Sequence, residues 1–344
     1  MNLKGRLIKI LANFYYIQDI NGITWECFAR ARLLKEGKLV LVGDEVEFET
    51  STSSKPQGVI VDVCNRKNKI SKPNIANIDQ VLVVFSTVEP DFDFYSLDRY
   101  LSFIKYELPE EEIIICINKI DLKQKDINEA YEKAGFKIFY VSALTKEGLN
   151  SLSSKLKNKT TVLTGPSGVG KSSLIKAFAP EINIEIGSLS AIQQGTHKTR
   201  NIQLIPVNIE NTQGFLADTP GFTQITFEGL HQSKILATFP DLTNIGCSFD
   251  DCLHSGEDGC VLNNPEKQPA IAKSRIESYR LILNESKLKV IYGSKKESSA
   301  KIQSGKTRNK SKVIPKIDKE TREKSRKRTK QELRKIDFNN IDQD

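Results

Sequence analysis

The chain contains no run of about 18 apolar residues, so it offers no helix able to cross a bilayer. Its first residues, MNLKGRLIKILANFYYIQD, alternate as a strand does. They lack the apolar block and small-residue cleavage site of a secretion signal. The expected location is the cytoplasm, with no membrane partner. Disulfides do not persist there, so the six cysteines are read as metal ligands or free thiols. Histidine is scarcer still, at three. Basic charge is also missing from most of the chain. The formal net charge is +8, but residues 295–335 hold 17 Lys and Arg against 5 Asp and Glu, and the first 294 residues sum to about −1. The basic character belongs to the tail alone.

The chain's 344 residues are enough for two or three domains with cores of their own. Residues 1–68 read as short strands: Gly5 to Ile20, Ile23 to Leu34, Asp44 to Thr50 and Gln57 to Val63, with Asn21-Gly22 as a hairpin signal and no convincing helix. That pattern predicts a small closed barrel of the OB type. The aromatics Phe14, Tyr15, Tyr16, Trp25 and Phe28 suit either a base-stacking face or a core, with core favoured. From about Asn68 buried strands alternate with helices, which predicts a doubly wound α/β domain over 69–236. A zinc-binding helical domain over 237–290 and a basic tail without stable structure over 291–344 complete the expected organisation.

The stretch Gly165-Pro166-Ser167-Gly168-Val169-Gly170-Lys171-Ser172 satisfies G-x-x-x-x-G-K-[ST] at every fixed position. It follows an apolar run, Thr161 to Leu163, and Ser173 begins a helical one, so Ser173 is counted in the cradle. Glycines let successive N–H groups turn toward phosphate oxygens, and the helix N-terminus adds partial positive charge. Lys171 is expected on the β- and γ-phosphates and Ser172 on Mg²⁺. A glycine-rich turn with an accidental lysine is the plain alternative, and the flanking strand and helix argue against it.

Asn118-Lys119-Ile120-Asp121 closes another buried strand in the form N-K-x-D. A carboxylate at Asp121 can accept from N1–H and the exocyclic amine of guanine, which adenine does not offer in that arrangement. GTP and GDP are therefore the expected nucleotides. Lys119 is expected along the base, Asn118 as a tie to the P-loop, and Ser142-Ala143-Leu144 as a backbone clamp for the base oxygen. Asp218-Thr219-Pro220-Gly221 ends a further strand, with Asp218 expected on Mg²⁺ and the Gly221 N–H on the γ-phosphate. The next residue is Phe222, which cannot orient a water. His197, in the loop 194–200, is taken as the water-orienting group and Thr199 as a Mg²⁺ candidate. Whether His197 acts in chemistry or only in coupling stays open.

The order of these motifs is unusual, because the base-reading loops precede the P-loop: a circular permutation. The segment after the switch strand is therefore wired to the nucleotide-sensing region. There stand Cys247, Cys252, His254 and Cys260, spaced C-x₄-C-x-H-x₅-C, which suits a closed tetrahedral zinc site of structural type. Cys27, Cys64 and Cys116 sit in apolar strands and read as core, and His231 as surface. Ala272, Ile276, Tyr279 and Leu283 share one helix face able to pack on that module. Rival readings are a nucleotide-gated RNA-binding module and an ATP-dependent kinase, the latter disfavoured by Asp121.

Together these features resemble the circularly permuted GTPases of small-ribosomal-subunit maturation, the RsgA/YjeQ type. The resemblance covers residues 1 to about 285. It rests on the barrel, the stretch Lys72 to Gln80, the permuted order, Phe222 and the zinc spacing. It implies an OB domain, a permuted GTPase domain and a zinc domain that clamp the 30S subunit around its decoding region. Contact with 16S rRNA is implied with it, as is GTP hydrolysis to GDP and phosphate stimulated by the subunit and coupled to release. A monomer is expected. One departure is in the switch: Gly195-Thr196-His197-Lys198-Thr199 stands where the family reads Gly-Arg-His-Thr-Thr, which leaves the Mg²⁺-sensing role of Thr199 open.

Overall fold

The computed structural model describes residues 2–35, 39–51, 55–71, 73–123, 126–181, 202–209, 212–218, 225–243, 245–264, 271–287, 301–303 and 312–314. The chain divides into two units, Met1–Leu288 and Lys289–Asp344. In the second, the strands Lys301–Gln303 and Lys312–Ile314 pair antiparallel. No helix among the described residues is long and apolar enough to cross a membrane.

Strands β1 (Asn2–Leu11), β2 (Phe14–Asp19), β3 (Thr24–Ala29), β4 (Glu45–Thr50) and β5 (Gln57–Val63) close into a barrel in the order β1-β2-β3-β5-β4-β1. Only β3 and β5 run parallel. The Asn21-Gly22 turn is organised by Asp19, whose carboxylate accepts from the Asn21 and Ile23 N–H groups and from Trp25 Nε1, each at 2.9 Å. Alternation then sends Leu7, Ile17, Cys27, Val46, Phe48 and Ile60 inward. Trp25 packs on Phe48 toward this interior, whereas Phe14 and Phe28 pair at 4.9 Å on the outside, with Phe28 46% exposed. The aromatics thus divide between the barrel interior and its surface. The expected strand Ile23–Leu34 ends at Ala29. A one-turn helix, α1 (Ala31–Lys35), comes after it and drops Leu33 into the barrel core.

Short strands β6 (Lys69–Ser71) and β7 (Asn74–Ala76) form a hairpin, and the α/β layer comes next. Its elements are β8 (Gln80–Ser86), α2 (Phe94–Glu107), β9 (Glu112–Asn118), α3 (Asn128–Tyr131), β10 (Lys137–Tyr140), α4 (Leu149–Leu156), β11 (Thr160–Thr164), α5 (Lys171–Phe178), β12 (Gln203–Ile209) and β13 (Thr212–Asp218). The sheet order is β10-β9-β8-β11-β13-β12, parallel except for β12. Every residue of β8 is buried because helices cover both faces. Val81, Val83 and Phe85 pack with Leu97, Leu101 and Ile104 of α2, while Leu82 and Val84 face Leu152 of α4 and Leu174 of α5. The barrel joins the sheet edge where Lys9 of β1 pairs with Gln203 of β12, and Arg6 donates to Thr160 at 2.7 Å.

Beyond β13 the chain forms α6 (Gln232–Leu236), a cysteine-bearing loop and α7 (Lys273–Ser286) around Phe227, Phe239, Leu242, Ile276, Tyr279 and Leu283. This module docks on α2 by buried polar contacts. Arg275 pairs with Asp98 of α2, and it reaches Asp241 by bonds of 2.6 and 3.0 Å. The rings of Tyr131, Phe136 and Phe239 surround its guanidinium. Ser102 of α2 bonds Thr238 at 2.6 Å. Cys27 and Cys116 are buried as expected, but Cys64 lies one residue past β5 and is half-buried, so it is not a core thiol. His231 is exposed.

Candidate nucleotide and metal sites

The P-loop spans β11 and α5 at the centre of the sheet, where loops from the carboxyl ends of the neighbouring strands converge. Gly165 has φ 137° and a Cβ there would lie 2.0 Å from the Val84 carbonyl oxygen, so only glycine lets the loop leave the strand so close to β8. Gly170, with φ 94°, would set a Cβ 2.3 Å from Asn118 Nδ2. Pro166, Ser167, Gly168 and Val169 complete the curl, with Ser167 and Gly168 exposed at its tip. Lys171 Nζ folds onto the loop and donates to the carbonyls of Gly165 (2.8 Å) and Pro166 (2.6 Å). Ser172 and Ser173 follow it in the first turn of α5.

Asn118, at the end of β9, is 98% buried and bridges two loops. Its Nδ2 donates to the Val169 carbonyl at 2.9 Å, and its Oδ1 accepts from the Ala143 N–H at 3.0 Å. Asp121 accepts from the Ser142 hydroxyl, which in turn accepts from the Thr145 N–H at 3.0 Å. The Lys119 ammonium donates to the Glu89 carbonyl in the loop after β8. A cavity of about 180 Å³ opens between Pro166 and Val169 on one side and Ser86, Pro90, Asp91 and Asp93 on the other. Sequence reasoning did not include this third wall. Its signal is that an apolar strand directly beside the P-loop strand must also end in a loop at this face. Asp218 ends β13 in register with Leu163, one strand from the P-loop. Lys72, His197, Thr199, Gly221 and Phe222 lie outside the described residues.

The four expected zinc ligands come together. His254 Nδ1 lies 3.4 Å from Cys247 Sγ and 3.5 Å from both Cys252 Sγ and Cys260 Sγ, and Cys247 and Cys260 are 3.9 Å apart. A tetrahedral zinc with bonds of about 2.3 Å to sulfur and about 2.0 Å to nitrogen has donor edges of about 3.5–3.8 Å, so the set fits the ion. Burial pushes the Cys252 thiol up to about 12, and a cation among the donors reverses that by favouring the thiolate. The surrounding loop is densely hydrogen-bonded. Glu257 accepts from the backbone N–H groups of Leu253, Ser255 and Gly256 at 2.7–3.3 Å. Tyr279 donates to the Leu253 carbonyl, and Arg280 to that of His254 at 3.2 Å.

A central P-loop strand whose base-side loops lie on earlier strands, behind a closed five-stranded barrel and ahead of a Cys₃His cluster, defines a circularly permuted GTPase with an OB-type amino-terminal domain. Comparison with known proteins agrees. The family described as RsgA GTPase matches residues 63–228, and the RsgA N-terminal domain matches residues 4–60. A small ribosomal subunit biogenesis GTPase RsgA from Alkaliphilus metalliredigens is 37% identical over 291 residues, covering 83% of this chain and 98% of the relative. Its counterpart in Bacillus cereus is 35% identical over 292 residues, covering 82% and 97%. Among solved structures, YjeQ from Thermotoga maritima aligns with TM-score 0.70 and 29% identity, covering 83% of this chain and 98% of that one. YloQ, described as a circularly permuted GTPase, aligns with TM-score 0.65 and 28% identity over 83% and 95%. The chain belongs to the RsgA GTPase family, and its chemistry is the hydrolysis of GTP.

Proposed function

We propose that this chain is a GTPase of late small-subunit maturation that binds the 30S subunit and its 16S rRNA, hydrolyses GTP there, and leaves as GDP and phosphate form. Its curated relatives are named for small ribosomal subunit biogenesis, which supports the subunit as partner. The observation that carries the nucleotide part is Asn118, which ties the P-loop to the Ser142-Ala143 loop in one buried network.

In this reading residues 165–173 hold the phosphates, and Lys171 turns from the loop carbonyls to the β- and γ-phosphates when they arrive. Asp121 and Ala143 read guanine, with Lys119 along the base. Ser172 and Asp218 hold Mg²⁺, which supplies charge neutralisation at the phosphates. Phe222 cannot orient water, so intrinsic turnover is slow and His197, with Thr199 nearby, completes the site on the subunit. Cys247, Cys252, His254 and Cys260 hold one structural zinc, with no open position for catalysis. The barrel over 1–68, the GTPase domain over 69–236 and the zinc domain over 237–290 act as one cytoplasmic monomer. The tail over 291–344 adds phosphate-backbone affinity through its lysines and arginines. GTP turnover measured with and without purified 30S subunits tests this: stimulation is expected, and an unchanged rate sinks the reading.

A further inference from the structure

One pair of charged side chains joins α2, α7 and the chain that follows β13. Arg99 of α2 and Glu285 of α7 form a salt bridge, with a further Nη2–Oε1 contact at 3.2 Å. The same two side chains take hold of the chain leaving the switch strand. Arg99 Nη2 donates to the Ile225 carbonyl at 2.7 Å, and Glu285 Oε1 accepts from the Phe227 N–H at 3.1 Å. The Arg99 guanidinium also lies 5.2 Å from the centre of the Phe227 ring, which is fully buried, and 5.5 Å from that of Tyr95.

We propose that Arg99 and Glu285 are a positioning pair that clamps the exit of the switch strand between α2 and α7, so that nucleotide state reaches the zinc module through this clasp. The inference rests on the proposed function and names the route of its coupling. Asp218 is fixed by its register with Leu163 and Gln203, and Ile225 by Arg99, so the two ends of the six-residue stretch between them have separate anchors. Among the described residues, the first contacts that follow Asp218 are those of Ile225 and Phe227. Both of these are bonded to side chains of the elements that carry the zinc module. Other polar contacts between α2 and the module bond residues further along the chain: Asp98 pairs with Arg275, and Ser102 reaches Thr238. Those hold the module in place, whereas the clasp touches switch exit, α2 and α7 together. Coupling of this kind is reciprocal, so a partner that moves α7 changes nucleotide affinity by the same factor.

The test uses the full-length zinc-loaded protein with Arg99→Ala and, separately, Glu285→Gln, which keeps the shape and the acceptor oxygen of the glutamate. Amide deuterium exchange is read in the GDP state and with a non-hydrolysable GTP analogue. In the wild type, the two states are expected to differ over 225–230 and 273–286. In each variant, that difference falls by about fourfold or more. Zinc stays at one per chain, and intrinsic turnover stays within about twofold, since neither residue touches nucleotide. A nucleotide-dependent difference at 273–286 as large in both variants as in the wild type overturns the inference. So does the lack of any difference in the wild type. Loss of zinc from both variants also overturns it, because the pair is then a requirement of the fold rather than a coupling element. Subunit stimulation is read separately: its absence in the wild type counts against the proposed function, whereas the exchange result needs no ribosome.

Discussion

A single buried amide decides how tightly the nucleotide loops are organised. Asn118 is 2% exposed and satisfies both halves of its side chain, one on the P-loop and one on the Ala143 backbone. Alanine there leaves a carbonyl and an N–H without partners and frees the two loops from each other. Each buried group left unpaired costs about 1–3 kcal/mol. Asn118→Ala is therefore expected to weaken GTP binding by roughly 5- to 150-fold, with the P-loop sequence untouched. Titration calorimetry with GTP checks this, and affinity within about twofold of the wild type removes Asn118 from its bridging role. The neighbouring Ser142–Asp121 bond is of a different kind, because in the proposed function guanine takes the place of the hydroxyl as donor to that carboxylate.

Between elements, the contact of α2 with α7 depends on ionised side chains and so on pH. The Glu285 carboxyl sits below its ordinary 4.5. Burial opposes its ionisation, but the Arg99 hydrogen bond, the Phe227 N–H and the Arg99 charge outweigh it. A carboxyl depressed in the folded state binds its proton later than in the unfolded chain. Its stabilisation is thus complete above pH 4.5 and lost as pH falls through the lower folded value. The gap in melting temperature between the wild type and Glu285→Gln should be widest near neutral pH and shrink below 4.5. A gap that stays constant on acidification excludes the ionised clasp. Nothing in the sequence marks this pair, because Arg99 and Glu285 are 186 positions apart. The only local hint is that the apolar face Leu97, Leu101 and Ile104 is shadowed by buried polar Asp98 and Ser102. The P-loop is legible because its spacing answers a local demand of the backbone, seen at Gly165 against Val84. The Cys₃His cluster is legible because all four residues lie within one loop. Helix α1 escapes notice because five residues are too few to show a helical period.

Across the whole molecule, cohesion is divided among separate cores, and that division predicts what zinc removal does. The barrel closes around Leu7, Ile17 and Phe48, and the sheet carries its own clusters on its two faces. The core of the cysteine-bearing module, by contrast, includes three of the candidate ligands, Cys247, Cys252 and Cys260, and rests on α2 through Tyr95 and Phe103. Its loop is fastened to α7 by Tyr279 and Arg280, and both bonds end on the cysteine-bearing segment at Leu253 and His254. Structural zinc contributes on the order of 10 kcal/mol to small modules of this kind, a figure comparable to the whole stability of a domain. Chelation should therefore unfold residues 225–286 as a unit, exposing Arg275 and its partners, while the barrel and sheet keep their folds. Calorimetry is expected to show a second, lower transition after chelation, and readdition of one zinc per chain should merge the two. Intrinsic GTP hydrolysis should survive, because the P-loop is held by its sheet and by Asn118, but subunit stimulation should vanish with the module. If hydrolysis falls together with zinc, the GTPase core depends on the module for its own fold, and the clasp at Arg99 is then part of the catalytic unit rather than its outlet.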